Sequence, residues 1–235
     1  MNKSTVKEIK ERFDNDVERF SNLDTGQVAT IDAKISLELL TETSKRITPN
    51  AKNLLDIGCG AGNYSLKMLT KIADLNCTLV DLSEPMLDKA KERVSAKTNN
   101  KVEIIQGDIR EVGLKENSFD IILAGAVLHH LRDDSDWETT FDKLYSLLKP
   151  GGCLMISDLI TQETNAVNEY TWERYGDYLE SIDGKEYRKK VLDYVEKEDS
   201  PRSMTYQLEL MKKVGFKKTE ILHKNMCFGA FGGIK

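Results

Sequence analysis

The sequence predicts an α/β fold in which a largely parallel sheet carries helices on both faces. Three observations indicate this fold. Between residues 50 and 160, short apolar segments typical of buried strands alternate with amphipathic segments typical of helices. The first strand segment runs directly into a glycine-rich turn. Near the end of the chain, two strand segments are separated by only two residues, which predicts an antiparallel hairpin.

Residues 1–50 are charged and show helical periodicity. In the segment VKEIKERFDNDVERF, apolar side chains recur every three or four residues from Val6 to Phe20. A second periodic segment, IDAKISLELLTE, follows, and Pro49 and Asn50 mark a break after it. We therefore expect an N-terminal helical cap over residues 1–50.

Residues 51–160 are expected to form the core of the sheet. The predicted strands cover 53–59, 77–82, 102–106, 119–126 and 153–159, and the predicted helices between them cover 64–72, 84–94 and 137–148. Ser83 is a good N-cap for the second helix, and Pro85 suits its first turn. The segment Pro150-Gly151-Gly152 predicts a turn before the fifth strand.

The remaining sequence predicts an insertion and a closing unit. Residues 161–200, rich in Tyr, Glu and Lys, interrupt the alternation and are expected to be helical. Residues 201–235 contain a predicted helix that ends at Gly215. The predicted hairpin strands, 218–223 and 226–234, complete this part of the chain.

Composition excludes several classes of protein. Residues 1–235 are 40% hydrophobic and 31% charged, without repeats, which favours one globular domain over a disordered chain. With 34 basic and 39 acidic residues the net charge is −5, so neither nucleic acid nor a membrane surface is expected as a partner. The N-terminal segment lacks a signal-peptide pattern, and no apolar stretch approaches the roughly 20 residues of a membrane span. A cytoplasmic monomer or homodimer is therefore expected.

The cysteines predict neither a disulfide framework nor a metal site. The sequence contains four of them: Cys59, Cys77, Cys153 and Cys227. They lie far apart, and no Cys/His cluster has the spacing of metal ligands. We therefore expect no metal.

The most informative segment is the glycine-rich turn after the first strand. Its pattern, Gly58-x-Gly60-x-Gly62, allows a ligand to approach the backbone without obstruction by Cβ atoms. Asn63 stands where a dinucleotide-binding fingerprint would place its third glycine, which disfavours an NAD(P)-dependent oxidoreductase. Asp56 precedes the turn.

Two further carboxylates follow the next two strands. Asp81 ends the second strand, at the spacing expected of a carboxylate that accepts hydrogen bonds from ribose hydroxyls. The alternative is that Asp81 caps the following helix. Asp108 follows the third strand in Gly107-Asp108-Ile109, where it could accept from an adenine amine or simply belong to a turn. The three motifs in order favour a ligand that contains adenosine.

These motifs resemble those of the class I S-adenosylmethionine-dependent methyltransferases. The similar segments are LLDIGCGAGNYSLKML, TLVDLSEPMLDKAKER, IIQGDIREV, FDIILAGAVLHHL and LLKPGGCLMISDLI. The resemblance implies a Rossmann-like, seven-stranded, mostly parallel sheet with one antiparallel strand. It also implies S-adenosyl-L-methionine as cofactor and S-adenosyl-L-homocysteine as product. With the acidic composition, it predicts a methyltransferase that acts on a small-molecule substrate by in-line displacement.

The resemblance further implies which residues hold the cofactor. Those expected around its methionine portion belong to the first turn: Asp56, Gly58, Cys59, Gly60 and Gly62. Those expected around its adenosine follow the next two strands: Asp81, Leu82, Met86, Asp108 and Ile109. Ala124 and Leu128 are expected to form the floor near the sulfonium, and Gln27 is expected to contact the cofactor from the loop between the early helices.

His129 and His130 are the candidates for a general base, because they follow the fourth strand and an imidazole can accept a proton near neutral pH. Since adjacent residues are expected to point in different directions, at most one of the two should face the ligand. The alternative is a packing or hydrogen-bonding role for both.

The cover of the pocket is expected to come from residues 1–50 and from the insertion. Exclusion of water and alignment of the reactants supply most of the rate in a reaction of this kind. Trp172 and Tyr175 in the insertion could form an aromatic wall for a flat or cationic substrate. The alternative is that they pack the insertion onto the domain.

Two other functions remain open. The segments GFKKTEILHKNMCFGAFGGIK and NLDTGQ are similar to the carboxy-S-adenosylmethionine synthases, which modify the cofactor itself for tRNA wobble-uridine chemistry. Those enzymes carry Ser-Leu where this chain has Gly60-Ala61, and Arg202 matches their carboxylate-binding arginine only loosely. The second alternative is a non-catalytic protein that binds S-adenosylmethionine.

Overall fold

The computed structural model describes residues 3–22 and 27–235. One sheet of seven strands runs in the order β3-β2-β1-β4-β5-β7-β6. The strands are β1 (Asn53–Ile57), β2 (Asn76–Asp81), β3 (Val102–Gln106), β4 (Phe119–Gly125), β5 (Leu148–Leu159), β6 (Lys218–Asn225) and β7 (Phe228–Ile234). Strands β1 to β5 pair in parallel, whereas β7 is antiparallel to both β5 and β6. The predicted sheet, with one reversed strand, is confirmed.

Helices pack on both faces of this sheet. They are α1 (Val6–Asp14), α2 (Val17–Ser21), α3 (Ala33–Ile47), α4 (Asn63–Leu69), α5 (Glu84–Ser95), α6 (Asp134–Leu147), α7 (Asn165–Glu198) and α8 (Met204–Val214). On one face, Trp137 and Phe141 of α6 join Met211 of α8 in a fully buried cluster. On the other face, Leu40 of α3 and Met68 of α4 are fully buried.

The predicted helix signals have the expected geometry. Ser83 is the N-cap of α5, and its side chain accepts a hydrogen bond from the backbone N–H of Met86. Gly215 ends α8 in the left-handed conformation, at φ 116°.

The structure differs from the prediction in the N-terminal cap and at the start of β5. The first periodic segment forms two helices, because α1 ends at Asp14 and α2 begins at Val17. The predicted turn at Pro150 to Gly152 lies within β5, where the pairing with β4 shifts register. Gly151, at φ 81°, allows the extra residues to bulge while the strand continues.

The insertion is a single long helical element with a kink. Asp183 and Gly184 have non-helical backbone angles and divide α7 into two halves. Tyr175 from the first half and Val195 from the second are buried in the same cluster as Leu159, at the end of β5. The predicted helical insertion is confirmed, whereas the kink was not predicted.

A buried carboxylate joins β1 to α4. Asp56 is 1% exposed, and its Oδ2 accepts from the backbone N–H of Ser65 at 3.1 Å and from its hydroxyl at 2.6 Å. Burial raises the pKa of Asp56 to about 7, against the hydrogen bonds from Ser65 that lower it. This contact fixes the start of α4 relative to the glycine turn.

Within the described residues, no helix has both the length and the apolar character that crossing a membrane requires.

We expect Gly184→Ala to destabilise the protein. Gly184 has φ 76° and ψ −175°, a region that only glycine adopts easily, while a Cβ there would meet nothing within 4 Å. The cost is therefore backbone strain alone, about 1–3 kcal/mol, measurable by urea unfolding. Gly113→Ala is the control, because Gly113 also faces open space but without a positive φ; it should stay within about 1 kcal/mol of the parent. Equal stability of the two variants would contradict this account.

We expect Asp56→Asn to change how stability depends on pH. The pKa of Asp56 is raised to about 7 in the fold. The stability that protonated Asp56 contributes at low pH is therefore lost as the pH rises through that value. Asparagine keeps an acceptor for Ser65 but does not ionise. The free energy of unfolding of Asp56→Asn, relative to the parent, should therefore rise by roughly 2–3 kcal/mol between pH 5 and pH 8.

The measurement is urea unfolding at four pH values, with the exposed Asp74→Asn as control. The control should follow the parent at every pH. If Asp56→Asn also follows the parent, Asp56 is ionised in the fold and its raised pKa is wrong.

Candidate functional site

The order of the strands creates the site. From β1 the chain adds strands toward one edge of the sheet, and from β4 it adds them toward the other. The connections after these two neighbouring strands therefore diverge and leave a crevice at their carboxyl ends. Three adjoining cavities, of about 60, 140 and 110 Å³, follow this crevice. We call them the outer, middle and inner cavities.

The outer cavity lies beyond the ends of β2, β3 and β4, and is lined by Leu82, Asp108, Ile109, Arg110, Leu128 and Leu131. The middle cavity lies over the glycine turn, and is lined by Gly58, Cys59, Gly60, Met86, Gly125 and Ala126. The inner cavity lies between the end of β5 and the covering helices, and is lined by Arg12, His129, Asp158, Tyr175, Tyr194 and Asp199.

Bare backbone forms the floor of the middle cavity. Gly60 has φ 50°, and a Cβ built on it would meet nothing within 4 Å. Gly58 has φ 59°, and its Cβ would lie 2.5 Å from a methyl carbon of Val127. The turn therefore requires glycine at Gly58 for packing and presents an open peptide at Gly60.

Asp81 stands at the junction of the outer and middle cavities. Its Oδ2 accepts from the N–H of Gly60 at 2.8 Å, and its Oδ1 accepts from the N–H of Ser83 at 2.9 Å. Burial raises the pKa of Asp81, while these backbone donors lower it. The helix cap is Ser83, so the alternative role of Asp81 as that cap is excluded, and each carboxylate oxygen keeps a lone pair for a further donor.

Asp108 is held by an arginine that the sequence analysis did not single out. Arg110 donates to both oxygens of Asp108, from Nε at 2.9 Å and from Nη2 at 2.6 Å. It also donates to Asp136 at 2.6 Å. Burial would raise the pKa of Asp108, but the hydrogen bonds from Arg110 keep this pKa below its ordinary value. Asp108 therefore lines the outer cavity as half of an ion pair.

The two histidines both face the inner cavity, so the expectation that only one would do so is wrong. They lie in a 3₁₀ turn, Leu128–His130, in which successive side chains are not opposed as they are in a strand. Their ring centroids are 4.3 Å apart. His130 also lines the middle and outer cavities.

His129 is fixed by a carboxylate near the end of β5. Its Nδ1 forms a short hydrogen bond with Oδ1 of Asp158, and its backbone N–H donates to Oδ2 of Asp158 at 3.1 Å. Burial lowers the pKa of His129, but Asp158 and Asp199 outweigh burial and raise it to about 9. The Nε2 atom of His129 lies 3.7 Å from Oδ1 of Asp199.

His130 is held differently. Its Nδ1 lies 3.2 Å from Oδ1 of Asp199, yet among the described residues neither ring nitrogen of His130 nor this oxygen makes a hydrogen bond of good geometry. Burial lowers the pKa of His130, and so does the neighbouring His129. The polar end of the inner cavity therefore contains buried atoms that lack partners.

Most of the residues predicted to hold the cofactor line the cavities. They are Gln27, Gly58, Cys59, Gly60, Asp81, Leu82, Met86, Asp108, Ile109 and Leu128. Gln27 lines the middle and inner cavities, and its buried Oε1 has no hydrogen-bond partner among the described residues.

Four predicted site residues line none of the three cavities, and packing explains each case. Asp56 lies behind the turn, bonded to Ser65. A Cβ on Gly62 would lie 3.1–3.2 Å from side chains of α5, so close helix packing accounts for this glycine. Ala124 points into the core of the sheet, and the next two residues of the chain line the cavity in its place. Trp172 packs on Tyr175, with ring centroids 5.8 Å apart.

Of the predicted aromatic pair, only Tyr175 faces the inner cavity. Tyr187 and Tyr194, in the second half of α7, complete the aromatic wall. Their spacing of seven residues places them on one face of a helix, which is the signal that could have identified them. Asp158 was also missed, although it lies at the end of the fifth strand much as Asp81 lies at the end of the second.

Gly125 and Tyr64 separate the middle cavity from the inner one. Tyr64 lines both cavities, and a Cβ on Gly125 would lie 2.3 Å from its ring. Beside them, Ala126 has φ 53°, a strained conformation for a residue with a side chain.

Of two features considered for the alternative function, the NLDTGQ segment and Arg202, only Arg202 lies wholly within the described residues. Leu23 to Gly26 of the NLDTGQ segment lie outside the described residues. Arg202 donates to Asp134 at 2.6 Å and lines none of the three cavities. Its position therefore gives no support to a carboxylate-binding role.

Comparison with known proteins shows similarity to methyltransferases. A family profile described as "Methyltransferase domain" matches residues 54–152. A carboxy-S-adenosyl-L-methionine synthase from Vibrio atlanticus is 29% identical over 196 residues, covering 82% of this chain and 80% of that protein. A demethylmenaquinone methyltransferase from Listeria monocytogenes is 29% identical over 194 residues, covering 80% of each chain.

Solved structures share the fold. A putative O-methyltransferase from Nostoc punctiforme superposes with a TM-score of 0.65 at 16% identity, covering 92% of this chain and 59% of that one. Human N-acetylserotonin methyltransferase, solved with its cofactor, gives a TM-score of 0.62 at 16% identity, covering 96% and 56%. This chain thus spans less than two thirds of either structure. The profile match and the curated relatives support the resemblance of this chain to the class I S-adenosylmethionine-dependent methyltransferases.

Proposed function

We propose that this protein transfers the methyl group of S-adenosyl-L-methionine to a small molecule bound in the inner cavity. The observation that carries the proposal is the row of three adjoining cavities, in which the middle one shares wall residues with each of the others. A cofactor along the outer and middle cavities would bring its sulfonium next to the inner cavity. The acceptor and the methyl group would then meet at Ala126 and His130.

The adenosine portion of the cofactor fits the outer cavity and its junction. Ile109 and Leu82 offer apolar surface for a flat base, and the free lone pairs of Asp81 can accept from both ribose hydroxyls. The methionine portion fits the middle cavity, against the open peptide at Gly60 and the unpartnered Oε1 of Gln27.

The reaction requires little from the protein beyond alignment of the acceptor atom with the methyl group. A lone pair of the acceptor atom attacks the methyl carbon while the bond from that carbon to sulfur breaks. The electron pair of this bond stays on sulfur, and neutral S-adenosyl-L-homocysteine leaves. The protein lowers the barrier by holding acceptor and methyl group in line and by excluding water. His129 and His130 are the polar groups that would contact the acceptor atom. His130, whose pKa is lowered by burial and by His129, would take up the proton of the acceptor where it carries one, whereas His129, with its pKa raised to about 9, already carries a proton near neutral pH.

The inner cavity would favour a small acceptor. Its volume of about 110 Å³ suits a small molecule, and its walls combine tyrosine rings with the guanidinium of Arg12. Residues 1–50 and 161–200 would form the cover, residues 51–160 the cofactor-binding part, and residues 201–235 the closing unit of the single domain.

Carboxy-S-adenosylmethionine synthesis is the second candidate. The 29% identical relative from Vibrio atlanticus favours it. The glycine turn, with Gly60-Ala61 in place of Ser-Leu, and the position of Arg202 favour methyl transfer instead. Mass spectrometry of the cofactor extracted from purified protein separates the two, because a carboxylated cofactor supports only the synthase. Release of S-adenosyl-L-homocysteine from pools of small acceptors separates both enzymes from a non-catalytic binding protein.

We expect Asp81→Asn to weaken binding of S-adenosyl-L-methionine. Loss of a charged acceptor for the ribose hydroxyls costs about 1.5–3 kcal/mol, which corresponds to a Kd roughly 10–100 times higher in calorimetric titration. Asp74→Asn, on the far side of α4, is the matched control and should bind as the parent does. The proposal is refuted if the parent protein shows no binding at millimolar cofactor.

We expect Val195→Phe to block the acceptor but not the cofactor. Val195 lines the inner cavity and neither of the others, so added bulk there fills acceptor space. Formation of S-adenosyl-L-homocysteine should fall at least tenfold, while the Kd for the cofactor stays within threefold of the parent value. Val167→Phe, half-exposed on the same helix, should leave both unchanged. Unchanged turnover in Val195→Phe would place the acceptor elsewhere.

A further inference from the structure

We propose that His129, His130 and Asp199 together bind one divalent transition-metal ion at the polar end of the inner cavity. Each residue offers one donor atom, and among the described residues these donors all lie within 4.8 Å of one another. All three residues line the inner cavity. The site is a property of the folded chain, so it can be tested whether or not the proposed methyl transfer holds.

The spacing of the donor atoms suits a small ion. Oδ1 of Asp199 lies 3.2 Å from Nδ1 of His130 and 3.7 Å from Nε2 of His129. Ligand atoms placed about 2.1 Å from a tetrahedral zinc ion are about 3.4 Å apart. Small side-chain adjustments therefore bring all three donors to bonding distance.

A second carboxylate already supports one of the ligands. Nδ1 of His129 is bonded to Oδ1 of Asp158, which directs the other ring nitrogen, Nε2, toward Asp199. This arrangement of carboxylate, imidazole and metal recurs in metal sites, where the outer carboxylate fixes the orientation of the ring and increases its basicity. Asp158 is fully buried behind the histidine, and its other oxygen accepts from the backbone N–H of His129.

The unpartnered atoms of the cluster are an independent indication of a ligand. Asp199 is 4% exposed, yet its Oδ1 has no good hydrogen bond among the described residues. Among the same residues, neither ring nitrogen of His130 has a good hydrogen bond. Buried polar atoms are rarely left without a partner, because each one costs free energy. A proton between Nδ1 of His130 and Oδ1 of Asp199, which lie 3.2 Å apart, would still leave Nε2 of His130 without a partner among the described residues.

The surrounding charges favour a cation. The carboxylates of Asp158 and Asp199 both belong to the cluster or contact it, whereas the nearby Arg12 is paired with Glu198, with Nη2 2.6 Å from Oε2. Two further cations near Asp199, Lys3 and Arg132, donate to backbone carbonyls. Two imidazole nitrogens and one carboxylate oxygen are donors typical of Zn²⁺, Co²⁺ and Fe²⁺, while Mg²⁺ and Ca²⁺ prefer oxygen ligands only. The remaining coordination positions would face the inner cavity, where an acceptor atom with a lone pair could bind.

Titration of the full-length protein with Co²⁺ and Zn²⁺, after removal of metals with a chelator, tests the site. We expect one equivalent of Co²⁺ to give visible absorption bands, and Zn²⁺ to displace it. His130→Ala and Asp199→Asn should each weaken Zn²⁺ binding at least tenfold. Asp158→Asn, which alters only the supporting carboxylate, should weaken it roughly 10–100-fold.

His223→Gln is the control for binding at an unrelated histidine. His223 is bonded to Asp32 through Nε2 at 2.8 Å and lines none of the three cavities, so its replacement should leave Zn²⁺ affinity within twofold. Far-UV circular dichroism and urea unfolding of every variant show that each is folded, and binding of S-adenosyl-L-methionine is measured separately, which keeps the metal site apart from the proposed function. The proposal is overturned if the parent binds neither ion, or if His130→Ala and Asp199→Asn both bind Zn²⁺ as the parent does.

Discussion

The parallel arrangement of β1 to β5 is the constraint on which the site depends. Because these strands run in one direction, the segments that follow them meet at one edge of the sheet. Each of these features stands at the end of a different strand or shortly beyond it: the glycine turn, Asp81, Asp108, the histidine pair and Asp158. Residues spread over about half of the chain thereby become neighbours, and the reversal of strand order between β1 and β4 leaves room for a ligand among them.

Polar contacts hold the cover over this edge. Arg12 of α1 pairs with Glu198 at the end of α7, whose side chain is 8% exposed. Arg132 donates to the backbone carbonyls of Ser4 and Glu198, and so joins both segments to the loop after the histidines. Asn63 at the start of α4 donates to the carbonyl of Phe20 in α2. Buried pairs of this kind contribute little net stability but define one arrangement, since breaking a pair leaves a buried charge uncompensated.

Local signals in the sequence were sufficient for the sheet and much of the site. Strands, caps and the reversed β7 depend on nearby residues and on the alternation of elements, which is why they were predicted closely. Asp81 and the histidines were predicted because a strand end has a fixed place in a parallel sheet. The orientation of Ala124 was missed, because a shift of one residue along a strand turns a side chain from the cavity into the core.

The rest depends on contacts between distant parts of the chain. Asp199 lies some 70 positions after the histidines that it faces, and nothing in its own surroundings marks it. The pairing of Asp108 with Arg110 is local, but its third member, Asp136, comes from α6. The kink at Gly184 brings Tyr187 and Tyr194 to the cavity, and its backbone angles are not encoded by the periodicity of the helix.

The contact between Gly125 and Tyr64 has a consequence for how the two compartments communicate. The tyrosine ring can stand where it does only because position 125 carries no methyl group, since a Cβ would lie 2.3 Å from it. Any larger residue at position 125 would displace the ring of Tyr64 and join the middle cavity to the inner one. The absence of a single carbon atom at position 125 thus keeps the ring of Tyr64 between the two cavities.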